Sequence, residues 1–282
     1  MEKHVVLYNK LSGATDALDK LKALLKDKAD AEFIDITSIS SYSDFFASLA
    51  NDAKLTICGG DGTLNRFVND TGDLIADREI YFFPAGTGND FARDVGLDPT
   101  NGPVEISKYL KDLPVVTVKG KTCKFINGVG FGIDGYCCQV GDEQKAKSDK
   151  PVNYTSIAIK GLLFHFKPKT AEVTVDGKTY NFKNVWIAPT MFGRYYGGGM
   201  NAAPDQQRLS EDKTVSFVVM HGKSRIATLA IFPSIFKGEH VKHEKQVQVI
   251  KGKEVHVKFD QPSPLQIDGE TVLDVLEYSV KF

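Results

Sequence analysis

The chain has 282 residues, which is long enough for two domains of ordinary size, each with its own core. Its 42% of hydrophobic and 25% of charged residues are typical of a soluble globular protein. The formal net charge of −1 excludes a general basic field, so nucleic-acid binding through bulk electrostatics is not expected.

The first third of the chain alternates between strand and helix patterns. The apolar spacing predicts strands at 5–9, 31–36, 54–58 and 79–84, and helices at 14–29, 41–52, 64–70 and 90–97. Strands separated by helices predict a parallel sheet with right-handed crossovers. We therefore expect an α/β domain over residues 1–113.

The pattern changes near Leu113 and Pro114, and segments of period two dominate from there to the end. They predict a mainly antiparallel domain, a sandwich or a barrel, over residues 114–282. Within it we expect hairpin turns at 175–178 and 250–253, helices around 153–166 and 223–236, and a polar connector at 141–150.

Three loops follow strand ends in the first domain: "NKLSG" (9–13), "GGDGT" (59–63) and "PAGTGND" (84–90). In an open parallel sheet these loops share one edge, where ligands bind. Glycines let backbone N–H groups approach phosphates, and a following helix adds the positive end of its dipole. The loops therefore predict a nucleotide phosphate, although turns alone would also use glycine. Asp61 and Asp90 beside a polyphosphate imply Mg²⁺.

One further glycine motif has a less favoured interpretation. "GFGIDG" (130–135) fits G-x-G-x-x-G, but a polar stretch follows it instead of a clear βαβ helix. A dinucleotide site there is the weaker hypothesis.

Five motifs occur in a specific order: "GGDGTLN", "PAGTGNDFAR", "FINGVGFGID", "GGGMNAAP" and "QIDGE". With them the chain resembles the diacylglycerol kinase catalytic-domain family over roughly residues 5–272. It is most similar to the soluble bacterial lipid kinases of the YegS-like type. The resemblance implies an N-terminal doubly wound parallel-sheet domain, as in NAD kinases and phosphofructokinases, and a C-terminal β-sandwich for a lipid substrate. The active site would lie in the cleft between them.

The resemblance also implies a nucleotide site for ATP on the first domain. Its residues would be Asn9, Lys10, Leu11, Ser12, Gly13, Thr37, Gly59, Gly60, Asp61, Gly62, Thr63, Leu64, Asn65, Arg66, Thr87, Gly88 and Asn89.

Catalytic and metal-binding roles follow from the same resemblance. Asp268 would be the base for the substrate hydroxyl, with Glu270 close by and also needed, and Asp61 and Asp90 would belong to a magnesium–water network. Without the resemblance, the Asp-Gly pair of "QIDGE" predicts only a hairpin turn. In the second domain, a structural Mg²⁺ would be held by Asp212 and by carbonyls near Leu209 and Thr214.

Four positions depart from the family pattern. Arg66 replaces a glutamate, Lys10 a proline, Lys213 a glycine of the metal motif, and Thr117 an aspartate of the magnesium network. They motivate an alternative, a non-catalytic lipid- or nucleotide-binding regulator. A kinase that acts on a soluble small molecule is a third possibility.

Two segments are candidates for the lipid end. The apolar and basic stretch 153–169 suits a helix over a lipid-tail cleft or an anionic surface, or an ordinary core-facing helix. The loop 192–200 is a flexible lid or a structural turn. Four cysteines without a C-x-x-C pair, no signal-peptide core and no apolar run of about 20 residues predict a reduced, cytoplasmic protein that meets membranes transiently. The relatives suggest a possible homodimer.

Overall fold

The computed structural model describes residues 2–10, 15–26, 29–50, 53–86, 88–148, 152–222 and 224–282, with backbone only for Glu2, Thr15, Ala29 and Thr155. The chain divides into two compact units, Met1–Leu113 and Pro114–Phe282, here called the first and the second unit.

The first unit contains a five-stranded sheet in the order β2-β1-β3-β4-β5. Its strands are β1 (Glu2–Tyr8), β2 (Ala29–Asp35), β3 (Lys54–Gly59), β4 (Ile80–Pro84) and β5 (Val104–Glu105). The first four are parallel, and β5 is antiparallel to β4. The helices are α1 (Thr15–Leu25), α2 (Tyr42–Ser48), α3 (Asp61–Thr71), α4 (Asp90–Val95) and α5 (Ser107–Leu110). The predicted α/β architecture is confirmed.

Hydrophobic burial fixes α1 against this sheet. Val6 of β1, Cys58 of β3 and Phe83 of β4 are buried together with Leu21 and Leu25 of α1. These leucines are part of the helical spacing that predicted α1, so the amphipathic pattern correctly identified the buried face.

The start of α3 differs from the prediction. The helix begins at Asp61, three residues before the expected Leu64, because the Leu64 N–H already bonds to the Gly60 carbonyl at 3.1 Å. Glycine has a low helix propensity, and Gly62 therefore concealed the first turn. The turn is formed because strand β3 and the loop after β4 hold it in place.

The second unit contains a nine-stranded antiparallel sheet. Its strands are β6 (Val115–Val118), β7 (Lys121–Lys124), β8 (Gly128–Gly132), β9 (Lys169–Val175), β10 (Lys178–Met191), β13 (Val215–His221), β14 (Val247–Gly252), β15 (Glu254–Ile267) and β16 (Glu270–Lys281). The long strands β10 and β15 each pair with β9 along one half and with β8 along the other. A short hairpin, β11 (Tyr195–Tyr196) and β12 (Met200–Asn201), is separate.

Two turn predictions in this unit had different outcomes. The hairpin at 175–178 is confirmed, with Asp176 and Gly177 at φ of 47° and 81° between β9 and β10. The hairpin at 250–253 is wrong, because β14 pairs with β13 whereas β15 pairs with β16, β9 and β8. The chain bends at Lys253, between β14 and β15, without pairing the two flanking strands.

Helices pack against the sheet of the second unit. They are α6 (Ile133–Lys145), α7 (Tyr154–Lys160) with a π-helical turn at Gly161–His165, and α8 (Arg225–Ile231) with a 3₁₀ turn at Phe232–Lys237. The predicted connector at 141–150 is wrong in its first half, because α6 continues to Lys145. Leu162 of the π-helical turn and Ile231 of α8 are buried in one core cluster with Trp186 of β10.

Among the described residues, no helix is both long enough and apolar enough to cross a membrane. All four cysteines are free thiols, as predicted.

Candidate active site

The carboxyl ends of the parallel strands lie at one edge of the first unit's sheet. Tyr8 is in register with both Asp35 and Cys58, and Gly59 with Pro84. The predicted nucleotide residues that follow these ends are therefore at the same edge: Asn9, Lys10, Thr37, Gly60, Asp61, Gly62, Gly88 and Asn89. Thr63, Leu64, Asn65 and Arg66 continue along α3. The predicted Leu11, Ser12, Gly13 and Thr87 lie outside the described residues.

Two of the three glycines around Asp61 are required by packing inside the protein. A Cβ on Gly59 would lie 2.6 Å from the Thr63 Cβ, and a Cβ on Gly60 would lie 3.0 Å from the Gly86 Cα. The reverse contact, from Gly86 to the Gly60 Cα, would be 2.7 Å. The two glycine loops thus touch backbone to backbone. Gly62 is exposed. Of the three glycines, it is therefore the one whose presence is best explained by contact with a ligand.

Asp61 connects the same two loops through its carboxylate. Its two oxygens accept the N–H groups of Asp90 at 2.8 Å and of Phe91 at 2.9 Å. These donors belong to the first turn of α4, where backbone N–H groups have no partner within the helix. Both carboxylate oxygens of Asp61 thus have a donor within the protein, so the position of Asp61 by itself does not require a metal ion.

Unlike the N-terminus of α4, the N-terminus of α3 has no side-chain cap. Gly60 is at the N-cap and provides no side-chain acceptor for the first-turn N–H groups. An eleven-residue helix with an uncapped N-terminus and exposed Gly62 in its first turn suits an anionic group such as a phosphate.

The sequence analysis missed Asp35, at the end of β2. Its Oδ1 accepts the Thr37 N–H at 3.1 Å. Hydrogen bonding from the Thr37 backbone lowers the pKa of Asp35, and the backbone and charge of Lys10 act in the same direction. Asp35 therefore lies next to two predicted site residues, Lys10 and Thr37. An aspartate at the end of a strand, two residues before a threonine, was the available signal.

In the second unit, the predicted base Asp268 lies in the turn between β15 and β16, at φ of 47°. Both the hairpin prediction and a specialised role for the side chain are compatible with this position. The carboxylate accepts three backbone N–H groups, from Ile126 at 2.5 Å, Asn127 at 2.8 Å and Gly128 at 2.9 Å. Glu270 begins β16 and is exposed. The orientation of Asp268 is therefore fixed by the start of β8.

Arg208 supports the backbone segment that holds Asp268, and sequence reasoning missed it. Its guanidinium is buried and donates to the Ile126 carbonyl and, at 2.7 Å, to the Asn127 side-chain oxygen. It also lies over the Phe192 ring at 5.2 Å. Its only sequence signal was an arginine close to the predicted metal motif.

A second buried carboxylate, Asp134, lies near the start of α6. Burial raises its pKa to about 7, and the nearby Tyr196 hydroxyl partly opposes this shift. A Cβ on Gly130 of β8 would lie 3.2 Å from its Oδ2. Asp134 therefore titrates near neutral pH inside the second unit.

Three of the departures from the family pattern are accommodated locally, two through a side-chain partner and one through the backbone conformation. Arg66 Nε donates to Asp70 at 3.3 Å, one helical turn later. Thr117 shares a hydroxyl hydrogen bond of 2.9 Å with Thr122 across β6 and β7. Lys213 adopts φ of 47°, so the turn retains the left-handed conformation that glycine favours.

The predicted metal sites fit the structure unequally. Asp61 and Asp90 are adjacent, and a carboxylate oxygen that accepts one N–H retains a second lone pair for a metal-bound water. In the second unit, the Thr214 carbonyl oxygen already accepts a hydrogen bond from the Gln206 side-chain amide at 2.8 Å. Asp212 would contribute a single carboxylate. Within the described ranges, no group of three or more His, Cys, Asp or Glu side chains could hold a metal ion. The site at Leu209, Asp212 and Thr214 stays a prediction.

The structure also bears on two remaining predictions, the G-x-G-x-x-G segment and the loop 192–200. The G-x-G-x-x-G segment is followed by helix α6 after all, but β8 is antiparallel to both of its neighbours. It is therefore not a βαβ unit, which argues against the dinucleotide hypothesis. The loop 192–200 contains the β11–β12 hairpin, with Tyr196 and Met200 buried, which favours the structural turn.

The chain thus combines a parallel-sheet unit with glycine loops at its carboxyl edge and an antiparallel unit with an oriented aspartate. The family model for the diacylglycerol kinase catalytic domain matches residues 3–117, and that for the YegS C-terminal NAD kinase beta sandwich-like domain matches residues 127–277. The chain belongs to the diacylglycerol kinase catalytic-domain family and is thereby placed among phosphotransferases with an alcohol group as acceptor.

Named relatives agree with this assignment. The chain is 24% identical over 287 residues to the diacylglycerol kinase of Bacillus subtilis (strain 168), covering 96% of this chain and 90% of the relative. It is 27% identical over 212 residues to that of Mycobacterium tuberculosis (strain ATCC 25618 / H37Rv), covering 72% of this chain but 65% of the relative. A solved diacylglycerol kinase structure from Bacillus anthracis str. Sterne matches with a TM-score of 0.63 at 19% identity, over 99% of this chain and 94% of that one. This structure confirms the fold.

Proposed function

We propose that the protein is an ATP- and Mg²⁺-dependent lipid kinase that phosphorylates a hydroxyl group, with diacylglycerol as the leading acceptor. The observation that carries the proposal is the meeting of the two glycine loops at the edge where the strands of the first unit end, beside the uncapped start of α3. The names of the relatives support a lipid acceptor.

The first unit would bind the nucleotide. The first-turn N–H groups of α3 would donate to phosphate oxygens, with Gly62 allowing close approach. Lys10, exposed after β1, would add a positive charge to the same edge. Arg66 is held by Asp70, so it stabilises the helix surface without removing the glycine loops.

Magnesium would be held near Asp61 and Asp90 through water molecules, because Asp61 already accepts two N–H groups. The bound ion would neutralise negative charge on the phosphates. The chain's own contribution is to hold the Asp61 carboxylate in one orientation through the N–H groups at the start of α4.

The second unit would supply the base. Three N–H groups fix the orientation of the Asp268 carboxylate. Orientation is the main requirement for a base in phosphoryl transfer, since the transition state is loose and the hydroxyl proton leaves late. Asp268 would orient the hydroxyl and accept its proton, and Glu270 would assist it.

Location and assembly belong to the same proposal. A lipid acceptor implies transient contact of a cytoplasmic protein with a membrane surface. The homodimer that the relatives suggest is a separate prediction, which sedimentation velocity would test.

The test is transfer of labelled γ-phosphate from ATP with Mg²⁺ to diacylglycerol, monoacylglycerol, ceramide or sphingosine in mixed micelles, with detergent alone and a soluble alcohol as controls. Transfer to one lipid would support the proposal and name the acceptor. Transfer only to a soluble alcohol would favour the soluble-substrate kinase. Tight ATP binding without transfer to any acceptor would favour the regulator.

A further inference from the structure

Two adjoining helical segments of the second unit expose large apolar side chains. Ile226 of α8 is 81% exposed and Phe164 of the π-helical turn is 72% exposed, the two highest values for large hydrophobic side chains among the described residues. Ile159, Leu163 and Phe236 in the same segments are also exposed. A soluble surface does not need such a concentration of apolar groups.

Arg225 ties the two segments together. Its guanidinium donates to the carbonyls of Leu162 and, at 3.0 Å, Phe166 on the π-helical segment. Phe164 lies between these two residues in the chain, and Ile226 directly follows Arg225. The two most exposed apolar side chains are therefore carried by segments that hold each other in place.

The buried side of these segments is already satisfied. Leu162, Phe166 and Ile231 pack in the core around Trp186. Phe164 and Ile226 are not needed for that packing. The segment 153–169 thus buries a core face and presents a second, apolar face, which combines the two interpretations of its sequence.

The two segments that carry these apolar side chains contain basic residues and no acidic ones. The sequence contains no Asp or Glu between residues 152 and 171 or between 214 and 238. Lys160, His165, Lys167 and Lys237 are exposed there. Apolar side chains next to basic ones are complementary to an anionic lipid surface, where the apolar groups enter the interface and the lysines meet the headgroups.

We propose that this face, defined by Ile159, Leu163, Phe164, Ile226 and Phe236 with the neighbouring lysines, docks the protein on an anionic lipid bilayer. The inference rests on the proposed function, since a lipid acceptor is supplied at such a surface. Docking would bring the second unit to the acceptor without any membrane-spanning segment.

The apolar part is tested by co-sedimentation with vesicles of equal parts phosphatidylglycerol and phosphatidylcholine, and with phosphatidylcholine alone. Wild-type protein is expected to bind the mixed vesicles, and the double variant Phe164→Ser with Ile226→Ser to bind them at least about tenfold more weakly. Leu74→Ser with Leu273→Ser, which changes two exposed leucines elsewhere, is the matched control and is expected to bind like wild type. Equal binding by wild type and the Phe164/Ile226 variant would overturn the proposal.

The electrostatic part is tested by Lys160→Glu with Lys167→Glu, against Lys111→Glu with Lys258→Glu as a control of equal charge change. Only the first pair is expected to weaken binding, and more salt is expected to weaken wild-type binding. If both pairs weaken binding equally, attraction by net charge replaces this docking face and the proposal is wrong.

Two further measurements distinguish the docking face from the proposed kinase function and from a dimer interface. Phosphoryl transfer to diacylglycerol in detergent micelles reports the proposed function without a bilayer, and the Phe164/Ile226 variant is expected to retain it. Vesicle binding without any micellar transfer would contradict the kinase and leave the docking face intact. If the variant instead converts a dimer to a monomer and leaves vesicle binding unchanged, the face joins two copies of the chain and the docking proposal is overturned.

Discussion

Asp61 and Asp268 each hold a neighbouring segment through backbone N–H groups. In both cases the carboxylate is oriented before any ligand arrives. A group that is fixed in this way can serve stability and chemistry together, so its substitution has to be measured on both.

Replacing Asp61 is expected to destabilise the first unit. Asp61→Ala leaves the Asp90 and Phe91 N–H groups without their acceptor, which should lower the free energy of unfolding by about 1–2 kcal/mol, as for a lost helix cap. Asp61→Asn keeps one acceptor oxygen and should lie between Asp61→Ala and wild type. Urea unfolding measures both, with exposed Asp77→Ala as control. A cost for Asp61→Ala no larger than for the control would refute the capping role.

Asp134 predicts a pH dependence of stability. Its pKa is about 7 in the folded protein against 3.8 in the unfolded chain, so the folded state keeps a proton that the unfolded state has lost between these values. The contribution of Asp134 to the free energy of unfolding should therefore fall as pH rises, by about 2 to 3 kcal/mol from pH 5 to pH 8. Burial lowers the pKa of His221 and of His240, which contribute in the opposite direction, so the comparison with a variant isolates Asp134. Asp134→Asn should lack this component. The single tryptophan, buried Trp186 of the same unit, reports the unfolding. An equal pH slope in wild type and variant would contradict the assignment.

At the scale of elements, the strand–loop–helix units of the first unit were predictable from local signals. Apolar runs gave β1, β3 and β4, and the loops after them followed from the geometry of a parallel sheet. The contact between Gly60 and Gly86 was not predictable, because it joins residues from different loops. The same limit explains the wrong hairpin at 250–253, where the partner strand of β14 is distant in sequence.

Two glycine substitutions separate packing from ligand contact. Gly86→Ala should destabilise the first unit by about 1–3 kcal/mol, since its Cβ would meet the Gly60 Cα. Gly62→Ala lies in a helix and should leave stability unchanged or raise it by about 0.5–1 kcal/mol. If the first turn of α3 binds phosphate, Gly62→Ala should still weaken ATP binding at least about tenfold. Calorimetric titration that finds wild-type ATP affinity in this variant would argue against the phosphate site.

At the scale of the whole molecule, two units with separate cores should respond differently to ATP. At 100 times its Kd, ATP with Mg²⁺ should slow hydrogen exchange about 100-fold in the most protected parts of the first unit. Residues 54–71 and 80–95 should show the protection, and strand β9 of the second unit should not. Protection confined to the second unit would contradict the assignment of the nucleotide.

The organisation of the two units was predictable from the sequence only in part. Glycine loops and alternating strands are local signals, and they indicated the class of the first unit. Asp268 and its three N–H donors are about 140 residues apart, a pairing that no local pattern reveals. Arg208 was missed for the same reason, since its partners lie in the segment before β8.

The most direct measurement compares γ-phosphate transfer to diacylglycerol micelles by wild type, Asp268→Asn and Asp176→Asn. Asp176 is a matched control, because it also begins an Asp-Gly turn at φ of 47° and its carboxylate accepts the N–H groups of Lys253 and Glu254. The account predicts a loss of about 100-fold or more for Asp268→Asn, with ATP binding retained, and a rate within about twofold of wild type for Asp176→Asn. Transfer by Asp268→Asn at the wild-type rate would contradict the account.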